Sequence, residues 1–163
     1  DIVILAGDIS HDLNDLMQVF NSLIGKFKAV HFVPGNHELW VEDDHYDCSL
    51  KKFEAVQSLS NELGIQTSVC HYGKLSVVPM FSWYDFSFGE PDRHLNRAWR
   101  DFRACQWPAH LENSKDIKNY FLKLNQFLSC YLMSNYFWHS ALGGGRLLCG
   151  SPGTMGLSIT VVL

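Results

Sequence analysis

The chain has 163 residues, enough for one domain with a substantial core and short for two. A hydrophobic content of 47% excludes a disordered chain, and a net charge of −4 from 13 basic and 17 acidic residues offers no footprint for nucleic acid or an acidic membrane face. Five cysteines (Cys48, Cys70, Cys105, Cys130, Cys149) without C-x-x-C spacing read as reduced, mostly buried thiols, and no signal peptide or membrane-length apolar run stands out, so a cytoplasmic protein is expected.

The chain opens without Met, directly in an apolar run, Ile2 to Ala6, that reads as a buried strand ended by Gly7-Asp8; a segment upstream is therefore expected. A helix follows from about Asp12 to Phe27, because Leu13, Leu16, Met17, Phe20, Leu23, Ile24 and Phe27 recur on one face; Ser10 or Asp12 can cap it. Ala29 to Val33 form the next strand, stopped by Pro34-Gly35, and this β-α-β order implies a parallel pair joined by a right-handed crossover. Residues 41–49 make a polar loop whose Glu42-Asp43-Asp44 run reads as solvated.

A second helix is predicted over Leu50 to Leu63, with Gly64 just past its end. Ile65 to Cys70 and Leu75 to Trp83 read as strands, with His71-Tyr72-Gly73 turning between them. So short a link implies an antiparallel hairpin and hence a mixed sheet. Residues 84–114 are aromatic and irregular around one helix near Leu95 to Arg103. The aromatics of the overlapping segment 81–107 (Phe81, Trp83, Tyr84, Phe86, Phe88, Trp99, Phe102 and Trp107) read as a small core under a long loop, with the wall of a substrate pocket as the alternative. A long helix from Lys115 to Leu132 carries the stripe Ile117, Tyr120, Phe121, Leu124, Phe127, Leu128 and Tyr131.

After Met133 the pattern breaks into Gly143-Gly144-Gly145 and Gly150-Ser151-Pro152-Gly153, and the run Gly156 to Leu163 closes the chain as a further strand. Residues 1–132 are thus expected to form the domain and 133–163 a divergent, Gly-rich tail, as a frameshift, an unspliced segment or a premature end would produce.

The chemistry concentrates at Asp8 and at Asn36-His37, each directly after a strand of one β-α-β unit. Ligand sites of open α/β sheets lie at such strand ends. A carboxylate, an uncharged amide oxygen and an imidazole suit a phosphate site built on hard metal ions. Two divalent ions sharing a site need a bridging anion, which Asp8 can supply, while Asn36 adds an oxygen without charge and His37 can protonate a leaving oxygen. Each piece alone is ordinary: Gly-Asp often makes only a turn and a cap, and Asn after Pro-Gly suits a tight turn. Their order makes the pair specific.

Gly7-Asp8-Ile9-Ser10-His11 and Gly35-Asn36-His37-Glu38 resemble the second and third motif blocks of the calcineurin-like metallophosphoesterases, whose pattern runs D-x-H, G-D-x-x, G-N-H-(D/E), a lone His, then G-H-x-H. The resemblance extends to about residue 128, less specifically through Pro79 to Gly89 and Ala98 to Pro108. It implies an α/β fold, an αββα sandwich with a mixed sheet, here truncated, and two divalent metal ions (Mn, Fe, Zn or Mg) at the strand ends. By the same resemblance Asp8 bridges the metals, Asn36 binds the second, and His37 is the proton donor.

The first block falls before residue 1, and G-H-x-H is absent. His139, in Trp138-His139-Ser140, is the late candidate for the lone His, but its context reads as a surface or packing residue. His11 stands where some relatives carry an acidic residue that orients the catalytic His; an imidazole there contacts the phosphate or second metal, or is simply an exposed first-turn residue. His31 reads as structural, and His45, His71, His94 and His110 as loop residues without ligand spacing.

The leading expectation is a phosphoester hydrolase acting through a metal-bound hydroxide at a dinuclear centre that is incomplete in this chain, on a substrate of unknown class. The alternative is a non-catalytic remnant that binds a partner at most, because two defensible ligands are few for two ions. A nucleotide-binding module would need a Gly-rich phosphate loop that the chain lacks.

Overall fold

Two strands pair in parallel at the centre of the site-bearing half: β1 (Ile2–Leu5) and β2 (Ala29–Phe32), with Ile2 opposite Ala29 and Leu5 opposite Phe32. The structure is a computed structural model, and it describes residues 1–42, 45–73, 75–84, 86, 93–125, 147–149 and 158–162. Between the strands runs α1 (Leu13–Leu23), and after them α2 (Ser49–Glu62).

Alternation along the pair sends side chains to two cores. Val3, Leu5, Val30 and Phe32 pack with Leu16 and Phe20 of α1, Val56 of α2, and Ile65. Ile4 and Val33 join the opposite cluster of Leu39, Trp40, Phe53, Val77, Phe81, Trp83 and Phe121. Leu16, Phe20, Val56 and Phe121 are wholly buried, and each such side chain contributes roughly 1.5–3 kcal/mol by leaving water.

The first helix is shorter than its apolar pattern predicts. It starts under Asp12, whose side chain accepts from Asn14 N and Asp15 N, and stops at Leu23, because Ile24 turns extended and Gly25 takes φ 82°. Met17 and Ile24, predicted inward, are exposed. The second helix ends as predicted: Gly64 at φ 74° lets its own N–H reach Asn61 O and Ile65 N–H reach Ser60 O.

The strand predicted over Ile65 to Cys70 is not formed. Gln66 alone pairs in parallel beside His31, with Phe32 N donating to Gln66 O at 3.0 Å and Gln66 N to Val30 O at 2.8 Å. Pairing resumes in β3 (Cys70–Tyr72), which takes in two residues of the predicted turn and forms an antiparallel hairpin with β4 (Leu75–Met80). β4 stops short of Trp83 because a side chain replaces the ladder at Phe81. Asn125 Oδ1 accepts from Phe81 N at 2.8 Å, and Asn125 Nδ2 donates to Phe81 O at 2.5 Å.

The single helix predicted near Leu95 to Arg103 is two: α3 (Arg93–Ala98) and α4 (Asp101–Ala104), separated by Trp99-Arg100. The next helix, α5, covers the described residues 114–125. Asn113 caps it reciprocally, accepting from Asp116 N at 3.0 Å while its amide donates to Asp116 Oδ2 at 2.7 Å. The predicted end of that helix, His139, and the division at residue 132 lie outside the described residues.

The closing apolar run forms β6 (Ser158–Val162), antiparallel to β4, with β5 (Leu147–Cys149) on its far side, in the order β3-β4-β6-β5. The mixed character predicted for the sheet is thus divided between a parallel pair and an antiparallel sheet of four strands. Among the described residues no helix is long and apolar enough to cross a membrane. Cys105 is buried, whereas Cys48 and Cys70 are half-buried rather than enclosed, and all three are free thiols.

Candidate functional site

The site grows from two loops in backbone-to-backbone contact. Gly7 and Asp8 follow β1 with φ of 71° and 56°, a left-handed turn that Gly adopts freely and Asp tolerates. Pro34-Gly35-Asn36 follows β2. A Cβ on Gly7 would lie 2.3 Å from Gly35 N, and one on Gly35 would lie 2.1 Å from Asp8 Oδ1. Only glycines allow this approach.

Glu38 locks the loops together. It sits on the short 3-10 turn His37–Leu39 with no solvent exposure. Its Oε1 accepts from Ile9 N at 2.6 Å and Ser10 N at 3.1 Å; its Oε2 accepts from Asp8 N at 2.9 Å and Gly35 N at 2.5 Å. Burial raises its carboxyl above the ordinary carboxylate range, while the four donors pull the other way. An ionised carboxylate only accepts hydrogen bonds, so its chemistry matches four converging N–H groups.

The predicted site residues sit around this clamp. The Asp8 side chain is exposed at the end of β1, and its Oδ1 accepts from His37 N at 3.3 Å. Asn36 is 8% exposed. Its Nδ2 donates to both carboxylate oxygens of Asp101, at 2.8 and 2.9 Å, which turns its Oδ1 away from Asp101. The His37 imidazole lies 3.9 Å from the Trp40 ring, and His11, half-buried, lies 6.1 Å from the same ring. Trp40 thus neighbours both histidines. The structure therefore gathers Asp8, Asn36, His37 and His11 at one end of the parallel pair.

Three residues that sequence reasoning missed complete the surroundings. Asp101, 2% exposed, accepts from Trp40 Nε1 at 2.6 Å and Trp99 Nε1 at 2.9 Å besides Asn36. Arg100 holds its guanidinium 4.6 Å over the Trp40 ring and donates to Glu42 at 3.1 Å. Glu38 was visible as the last residue of a motif, but its role as a clamp was not. Asp101 carried no local signal beyond its place in an aromatic segment.

The remaining histidines go elsewhere. His31 is buried in β2 with Nε2 2.8 Å from Tyr72 Oη, the structural role expected of it. His71 lies in β3 rather than in a loop, its Nδ1 2.7 Å from Ser76 Oγ, and His94 lies on α3. Phe81 and Trp83 belong to the core with Phe53 and Phe121. That part of the aromatic segment packs the fold.

The family model of the calcineurin-like phosphoesterases matches residues 1–140. The chain belongs to that family. Over 97 residues, 54% of this chain and 30% of the relative, it is 30% identical to an acyl-carrier-protein phosphodiesterase, PptH, of Mycobacterium tuberculosis. The crystal structure of phosphopantetheinyl hydrolase (PptH) from Mycobacterium tuberculosis shares its fold, with a TM-score of 0.60 at 21% identity over 77% of this chain and 51% of that one. The chain thus spans under a third of the curated relative and about half of the solved one.

Calcineurin-like phosphoesterases generally use divalent metal ions, and the donors present suit one in kind. Asp8 offers an exposed carboxylate, and the Asn36 amide has its nitrogen engaged by Asp101, so oxygen is the end left for a ligand. Both are hard oxygen donors. Among the described residues no three His, Cys, Asp or Glu side chains converge as a metal cluster. The hard oxygen donors at the two strand ends are those of Asp8 and Asn36.

Proposed function

We propose that the chain carries the phosphoester-hydrolysing site of its family, with Asp8 and Asn36 holding divalent metal, His37 acting as proton donor, and His11 contacting the phosphate. The observation that supports this best is the Glu38 clamp, which joins the Gly7-Asp8 loop to Gly35-Asn36-His37 through four hydrogen bonds. A divalent ion held by Asp8 and Asn36 would supply Lewis acidity toward the phosphoryl oxygens and a more acidic water. Asp8 contributes the negative charge that balances the ion, and Asn36 contributes oxygen without lowering the electrophilicity of the phosphorus. His37, steadied against Trp40 and tied through its backbone N–H to Asp8, delivers a proton to the leaving oxygen.

A phosphodiester is the substrate class to test first, since the curated relative is named a phosphodiesterase. The free thiols of Cys48, Cys70 and Cys105 support a reducing, cytoplasmic setting. Residues 1–132 are proposed as the catalytic domain and 133–163 as a tail divergent in sequence, whose strand β6 nonetheless pairs with β4.

The test is metal retention after Mn²⁺ loading and desalting, followed by hydrolysis of bis-p-nitrophenyl phosphate. Wild type, with two recognisable ligands, is expected to bind Mn²⁺ weakly but measurably and Asp8→Asn to bind none. His37→Ala is expected to keep the metal and lose about 10²–10⁴-fold in kcat. A wild-type chain that folds and keeps no metal defeats this reading. That outcome would favour the second one, a non-catalytic binding protein, which the short ligand set among the described residues supports.

A further inference from the structure

We propose that Asp101 is a positioning residue that fixes which end of the Asn36 amide faces a metal ion, and that it aligns His37 through Trp40. The inference rests on the metal-site reading of Asp8 and Asn36.

An Asn side chain has two ends of similar size and opposite chemistry. Rotation by about half a turn exchanges an acceptor oxygen for a donor NH₂, and only the oxygen can bind a cation. Something must choose between them. Asp101 does so by its hydrogen-bond pattern: both of its oxygens already accept from indole N–H groups, so it meets Asn36 as an acceptor and Nδ2 is the end that faces it. Both of its oxygens lie within 2.9 Å of that nitrogen.

The same carboxylate accepts from the Trp40 indole at 2.6 Å and the Trp99 indole at 2.9 Å. Trp40 in turn lies 3.9 Å from the His37 ring. One buried side chain therefore supports both the oxygen ligand and the proton donor, from a helix 65 positions along the chain from Asn36. A carboxylate that served packing alone would need the indole donors but not the amide. The Asn36 contact to both oxygens is the part that points to the site.

Asp101→Asn tests this with almost no change in shape. Its amide can present NH₂ toward Asn36, which frees Asn36 to turn its oxygen inward. Trp99→Phe removes one indole donor and leaves the Asn36 contact intact, so it measures the purely structural share. Mn²⁺ affinity would be followed by the spectroscopic signal of free Mn²⁺ in a titration of the full chain. The expected result is an affinity about 10–100-fold weaker in Asp101→Asn, with Trp99→Phe close to wild type and both folded by circular dichroism.

Equal affinity in wild type and Asp101→Asn overturns the proposal while leaving the metal site standing. No Mn²⁺ binding in wild type overturns both. Should Asp101→Asn fail to fold, NMR on the wild-type chain decides: the Asn36 side-chain amide protons must exchange slowly with solvent, and fast exchange overturns the proposal.

Discussion

Glu38 shows how one residue can organise a site without belonging to its chemistry. Each of its oxygens takes two backbone N–H groups, from loops that follow different strands. Glu38→Gln keeps the size but sets an NH₂ group against two of those donors. Each buried donor left unsatisfied costs about 1–3 kcal/mol, so urea denaturation should show a loss on the order of 2–4 kcal/mol. A change below about 0.5 kcal/mol would mean that the loops hold together without the clamp. The neighbouring glycines are as constrained, since the Gly35 contact with Asp8 leaves no room for a Cβ.

At the scale of elements, side chains decide where helices and strands begin and end. Asn113 starts α5 by bonding the N–H of Asp116, and Asn125 of the same helix ends β4 by holding both backbone groups of Phe81. Asn113→Ala removes only a cap at an exposed end and should lower stability by about 1 kcal/mol in urea denaturation. Asn125→Leu leaves a buried N–H and a buried C=O without partners and should cost more, about 2–4 kcal/mol. Equal effects would show that the Phe81 contact is no more important than an ordinary helix cap.

Across the whole molecule, His31 links the parallel pair to the antiparallel sheet, since it lies in β2 and its Nε2 sits 2.8 Å from Tyr72 of β3. Burial lowers its pKa from the ordinary 6.5, so the fold favours the neutral ring. The unfolded chain therefore binds the proton first as pH falls. The stability that this histidine contributes is complete above its ordinary pKa and declines as pH falls through the lowered folded value. Urea midpoints measured from about pH 7.5 down to about pH 5 should fall in wild type, and the fall should be shallower in His31→Gln. Parallel slopes in the two proteins would place the acid sensitivity elsewhere.

The β-α-β unit, the hairpin and the places of Asp8, Asn36 and His37 were legible in the sequence because each depends on local pattern. Apolar runs bury, glycines permit left-handed turns, and motif residues follow the strands that present them. The first helix is shorter than its apolar period, which runs on through Ile24 and Phe27, because Gly25 ends it. The strand over Ile65 to Cys70 failed for another reason: only Gln66 finds a partner beside His31. Pairing is a property of two chain segments, and one segment's composition cannot supply it. The same holds for Asp101, Trp40 and the Phe81–Asn125 lock, whose partners are 44 to 65 positions apart. Sequence alone determined which candidate residues stand at the strand ends; only the tertiary structure decided what holds them, because the hydrogen bonds that orient Asn36 and Glu38 exist only once distant loops are brought together.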